Sequence, residues 1–140
     1  ERSQYWPGPP DTWYEGHNGF GSVELATRWG LADGRTGGAE HFQTFVLLMN
    51  PWEDPATVDV TFLREGSAPL TRRVTIPALS RMNLSLAGSA PGSDVPELAD
   101  TRFSALVVSD RPIAVERSVY STVPGRVFIT GTHATATRLP

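Results

Sequence analysis

Apolar and polar residues alternate with period two through most of this chain. Val58, Val60 and Phe62 fall on one side of an extended strand, with Asp59 and Thr61 on the other. Leu70, Arg72, Val74 and Ile76 alternate against Thr71, Arg73 and Thr75, and Met82, Leu84 and Leu86 against Asn83 and Ser85. Phe103, Ala105 and Val107 form another such run. Ser109-Asp110-Arg111-Pro112 follows and reads as a turn, after which Ile113, Val115, Arg117 and Val119 resume the alternation. No stretch sustains period 3.6 over three turns. Successive side chains on a strand point to opposite faces, so the pattern predicts an antiparallel sheet with one face buried. The segment from His41 to Met49 ends apolar on both faces, which suits a central strand. Val127-Phe128-Ile129 and residues 132–137 read as a closing hairpin around Gly131.

Thirteen glycines and 12 prolines punctuate these runs. Asn50-Pro51 stops the first core strand, because proline cannot donate a ladder hydrogen bond. Glu65-Gly66-Ser67 reads as a hairpin turn with glycine supplying positive φ. Pro77-Ala78-Leu79-Ser80 reads as a strand connection. Pro96-Glu97-Leu98-Ala99-Asp100 reads as one helical turn, with Asp94 as its N-cap. Seven or eight strands with turns every 8–12 residues predict an all-β, antiparallel β-sandwich of immunoglobulin-like type. An up-and-down barrel is the competing architecture.

The chain repeats part of itself. Glu1-Arg2-Ser3-Gln4-Tyr5 reads like Glu116-Arg117-Ser118-Val119-Tyr120, an offset of 115 (116 − 1). Gly21-Ser22 and Ala26-Thr27-Arg28 match Gly131-Thr132 and Ala136-Thr137-Arg138, an offset of 110 (131 − 21). The five-residue slip is placed in a longer loop at Pro7-Gly8-Pro9-Pro10. Residues 1–28 thus read as a strand-forming extension, the tail of a preceding module, and 29–140 as one whole module. Repetition of this kind is the signature of arrays.

A length of 140 residues suits one domain with an appendage and can bury a real core. The formal charge of −3 and pI near 5.5 give no reason to expect nucleic acid or an anionic membrane as partner. All 12 basic residues are arginine, which reflects either a GC-rich genome or a surface built for bidentate pairing. The absence of lysine excludes a Lys–Asn isopeptide crosslink. The absence of cysteine excludes disulfides, thiolate metal sites and cysteine catalysis. The apolar run Phe45-Val46-Leu47-Leu48-Met49 is too short to span a bilayer, so no membrane insertion is expected. No charged-then-apolar leader is visible, and the expectation is a secreted chain from which the signal peptide is absent.

Trp29-Gly30-Leu31-Ala32-Asp33-Gly34, Gly37-Gly38 and Phe42-Gln43-Thr44-Phe45-Val46-Leu47-Leu48-Met49-Asn50-Pro51 together resemble the opening of a family of bacterial extracellular repeats. In that family a W-x-L-A-E-G segment leads to F-x-T-x-L-L-L-x-N-P. Ala56-Thr57-Val58-Asp59-Val60-Thr61-Phe62-Leu63, Ile76-Pro77-Ala78 and Val108-Ser109-Asp110-Arg111-Pro112-Ile113-Ala114-Val115-Glu116-Arg117-Ser118-Val119-Tyr120 fit it as well. The likeness covers residues 29–138. It implies β-sandwich modules in tandem on secreted or wall-attached proteins, of uncharacterised role and without a catalytic motif. Asp33 stands where the family usually has Glu. Ser121 replaces an aromatic that often follows the last Tyr, while Trp6 keeps it in the first copy.

Candidate chemistry is sparse. His17, His41 and His133 lie in different segments without the spacing of a zinc site. Asp94, Glu97 and Asp100 are three carboxylates in one loop and form a candidate Ca²⁺ site, against a bland reading as solvated acids around a helical turn. No G-x-S-x-G elbow exists, and the glycines from Gly34 to Gly38 form a strand connection rather than a phosphate cradle. Trp6, Trp13, Tyr14 and Trp52 fall in loop-like or proline-rich stretches. Such aromatics stack on sugar rings, anchor subunit contacts or cover module ends. Arg117 shares a strand face with Val115 and Val119, so it is read as buried with a partner or as a rim residue with a wet head.

Two strands alone are marginal in water, so 1–28 must lie against a sheet, either in this chain or in a neighbour whose edge accepts them by strand addition. The sequence therefore reads as a non-enzymatic module of an extracellular filament, fibre or surface layer. Its partners are copies of itself, head to tail, with Arg2, Tyr5, Trp6, Trp13 and Tyr14 in the subunit contact. The alternative is a carbohydrate-binding or adhesive module that uses Trp13, Tyr14 and Trp52 on surface glycans. No cofactor is expected beyond the candidate Ca²⁺.

Overall fold

A computed structural model describes residues 2–7, 13–86, 92–122 and 129–140. Among the described residues ten strands run in the order β1 (Arg2–Pro7), β2 (Trp13–Gly19), β3 (Ala26–Arg35), β4 (Gln43–Asn50), β5 (Ala56–Arg64), β6 (Leu70–Ile76), β7 (Ser80–Leu86), β8 (Arg102–Thr122), β9 (Ile129–Thr135) and β10 (Thr137–Arg138). All their pairings are antiparallel. The fold is the antiparallel β-sandwich that the alternation predicts.

One sheet has the order β10-β3-β8-β5-β6 and the other β7-β4-β8-β9. Strand β8 belongs to both. Its residues 103–109 pair with β5 and its residues 114–120 with β4. The turn expected at Ser109-Asp110-Arg111-Pro112 is thus a correction: one 21-residue strand passes through it. Residues 110–112 fall between the two sets of partners, where Pro112 loses nothing by having no N–H to donate. Asp110 keeps a role there, since its Oδ1 accepts the Thr57 N–H at 3.0 Å. The hairpin expected around Gly131 is also corrected. Strand β9 runs straight through that residue, opposite Tyr120.

The core lies between the sheets. Trp29, Leu31, Val58, Val60, Phe62, Phe103, Ala105 and Val107 come from one side, and Val46, Leu48, Leu84, Leu86 and Val115 from the other. Each fully buried large aliphatic side chain contributes roughly 1.5–3 kcal/mol. Trp29 is 2% exposed, and its Nε1–H donates to the carbonyls of Ala26 and Ile113, both at 3.0 Å. Burying the indole therefore leaves no donor unsatisfied. Gly34 is required by close packing: a Cβ there would stand 2.3 Å from the buried Phe103 ring.

The N-terminal segment forms its own two-stranded sheet, β1-β2. Its register copies that of β8 with β9. Arg2↔Gly19, Ser3↔Asn18, Gln4↔His17, Tyr5↔Gly16 and Trp6↔Glu15 correspond to Arg117↔Ala134, Ser118↔His133, Val119↔Thr132, Tyr120↔Gly131 and Ser121↔Thr130. The offset is 115 throughout. The five-residue slip therefore falls in the connector at 20–25, outside the Pro7 to Pro10 region where the sequence placed it. Ala26 to Arg28, grouped above with the extension, are the first residues of β3.

Candidate interaction surfaces

The hairpin rests on β9 through side chains. His17 Nε2 lies 3.2 Å from the His133 carbonyl oxygen and 3.5 Å from Thr132 Oγ1. The two imidazole rings meet edge to face with centroids 4.5 Å apart. His133 is 7% exposed. Gly19 makes room for it, since a Cβ at that position would stand 2.4 Å from His133 Nε2. Two of the three scattered histidines are thus brought together, while His41 stays exposed at a turn. The backbones of Arg2, Tyr5, Trp6, Trp13 and Tyr14 lie in β1 and β2, but their side chains lie outside the described residues. The connector at 20–25 has no regular structure and leaves Phe20 85% and Val23 99% exposed. Beneath it, Leu47, Met49, Arg81, Asn83, Ala114 and Glu116 line a groove on the outer face of the second sheet, closed on one side by Gly21 and Ser22.

A second surface lies at the end of the sandwich around Trp52, which is half-exposed. The fully buried Asn50 builds this loop. Its Nδ2 donates to the Asp54 carbonyl at 2.8 Å and the Pro77 carbonyl at 3.0 Å, and its Oδ1 accepts the Trp52 N–H at 3.1 Å. The indole Nε1–H donates to the Pro112 carbonyl at 2.6 Å, which fixes the ring. Glu53, Asp54 and Arg111 border the open depression beside it, with Arg111 Nη1 3.2 Å from Asp54 Oδ2.

The three loop carboxylates point to three separate partners. Asp94 Oδ2 accepts the Ser85 N–H at 2.7 Å, Glu97 pairs with Arg72, and Asp100 Oδ1 accepts the Gly38 N–H at 2.8 Å. Among the described residues no group of three acidic or histidine side chains is placed to hold a metal ion. The expected N-cap is corrected as well. A single 3-10 turn, Pro96–Leu98, has Val95 at its cap without a side-chain bond, and Asp94 instead covers the edge of β7 at Ser85.

Among the described residues two carboxyl groups are shifted. Hydrogen bonds from Arg73 hold Asp59 below the ordinary range, at 2.7 Å from both Nε and Nη2. A hydrogen bond within its own residue, and then Arg72, hold Glu97 low as well. Arg117 has only 12% of its side chain exposed and its head is bonded to Asp33, which fits the reading of a buried residue with a partner rather than a rim residue with a wet head. No described helix is long and apolar enough to cross a membrane.

No protein-family model matches this chain, and neither does any curated protein. Several solved structures are similar, two of which follow. Thermotoga maritima 1070 superposes with a TM-score of 0.67 at 19% identity, over 81% of this chain and 95% of that one. That likeness shows the fold. The Anabaena sensory rhodopsin transducer gives a TM-score of 0.50 at 26% identity, over 64% of this chain and 90% of its own.

Proposed function

We propose that this chain is a non-catalytic structural module of an extracellular assembly, in which the N-terminal segment carries the contact between subunits. The carrying observation is the hairpin β1-β2: a separate sheet, in the same register as β8 with β9, seated on the sandwich by side chains. In this reading the segment is the tail of a module present twice, and it docks as a pair of strands. The charged side chains support a structural role, since Arg35–Glu40, Arg72–Glu97, Arg73–Asp59 and Arg117–Asp33 pair within the fold. The resemblance of 29–138 to extracellular repeats supports a place outside the cell. Deleting residues 1–25 and looking for polymers by negative-stain microscopy tests the reading. Loss of polymers is expected, and undiminished polymers refute it.

The exposed, hydrogen-bonded indole of Trp52 favours a second reading, an adhesive module for surface glycans. Binding on a glycan array that is lost in Trp52→Ala supports it. Binding unchanged in that variant excludes this surface.

A further inference from the structure

The hairpin is built to be exchangeable. Among the described residues no ladder joins β1 or β2 to the rest of the sandwich. Among the described residues the hairpin meets the sandwich through side chains: His17 against His133 and Thr132, and the gap at Gly19 that receives the His133 ring. Two strands have little stability alone, so the hairpin needs a surface, but nothing in this contact requires that the surface belong to the same chain. The tether is the irregular connector at 20–25, and six extended residues reach about 20 Å. An element docked by side chains on a short irregular tether makes identical contacts in the exchanged and unexchanged forms, which is the low-cost route to association between copies.

The fit also gives the contact a direction. Strand β9 with its half of β8 has the same register as the hairpin, so a second copy could offer that pair of strands instead. At an offset of 115, however, Ala134 stands where the hairpin has Gly19. A methyl group there meets the His133 ring at a distance that no settled contact shows. The N-terminal hairpin fits β9 with the His133 ring where it stands, and the C-terminal pair would have to displace that ring. Donor and acceptor are therefore different surfaces, the condition for a chain of copies that does not close on itself.

We propose, resting on the assembly reading above, that the hairpin of one copy docks on β9 of a second copy, with His17 and Gly19 seated on His133. The partner is another molecule of this same chain. The chain has no cysteine, so single-cysteine variants report the contact cleanly. His17→Cys chains and Thr132→Cys chains are refolded together and oxidised, and disulfide-linked dimers are identified by peptide mass. Unlike pairs are expected well above the half that random coupling gives. A second mixture, His17→Cys with His133→Cys, keeps the test valid if a variant of the first fails to fold. Random pairing, or no linked dimers, in the mixtures that fold overturns the proposal. The mass of the unaltered chain separates the two levels. An assembly without unlike-chain links leaves the assembly reading standing and places the acceptor elsewhere, whereas a chain that stays single at every concentration overturns both.

Discussion

Arg117 reaches from the middle of β8 to Asp33 in β3, its Nη1 2.9 Å from the carboxylate Oδ2 and bonded also to the Asp33 carbonyl. The pair joins two of the segments quoted above for the resemblance to extracellular repeats. Asp33 is 77% exposed in its side chain, so its charge contributes little alone, about 0.5–1 kcal/mol. Arg117 also buries its stem. Asp33→Ala should lower the denaturation midpoint slightly because the backbone acceptor remains, and Arg117→Ala should cost about 2 kcal/mol through lost packing as well. Urea unfolding of both variants measures this. Equal effects would show that the stem adds nothing.

Gly34→Ala tests the close approach of β3 to the Phe103 ring. The added methyl group displaces a ring that packs edge to face on Phe62 at 5.5 Å, and overpacking of this kind costs about 1–3 kcal/mol. Gly21→Ala meets nothing within 4 Å and serves as the control, with an expected change below about 0.5 kcal/mol. Thermal unfolding distinguishes them.

Trp29→Phe keeps most of the buried area but removes the donor shared by the Ala26 and Ile113 carbonyls. The expected cost is about 1–3 kcal/mol, and Trp29→Ala should cost about 3–5 kcal/mol. Denaturant midpoints of the two variants rank the hydrogen bonds against the volume.

The sandwich faces were legible because inner positions in β5, β7 and the first half of β8 alternate without a break. The continuity of β8 was hidden because Ser-Asp-Arg-Pro is also what a turn looks like. Only the partner strands reveal that the chain passes from one sheet to the other there. Residues 1–5 and 116–120 read alike in the sequence, yet the match of Gly21 to Gly131 departs from the observed registers, in which Gly16 lies opposite Tyr5 as Gly131 lies opposite Tyr120. The contact of His17 with His133 spans 116 residues and belongs to no motif. A constant-offset alignment would have matched 17–18 to 132–133 as equivalent positions, which carries no sign that they touch. Asn50 was read only as a strand stop, because its fully buried side-chain bonds depend on Asp54 and Pro77 folding around it.

Acid should act on the Asp59–Arg73 pair with a defined sign. The folded Asp59 titrates below its ordinary value of 3.8 because Arg73 donates to it. Its contribution to stability is therefore present above the unfolded value and is lost as pH falls through the folded one. A carboxyl titration by NMR should place the Asp59 midpoint below 3.8, with Arg73→Ala returning it to the ordinary range. An unchanged midpoint in that variant would remove Arg73 as the cause.

The central claim is that the N-terminal hairpin joins one copy to the next, and the most direct test is mass in solution across a concentration series. Sedimentation of the full chain should give species above 15.2 kDa that grow with concentration, while residues 26–140 alone should stay single. A full chain that sediments at 15.2 kDa throughout would contradict the account.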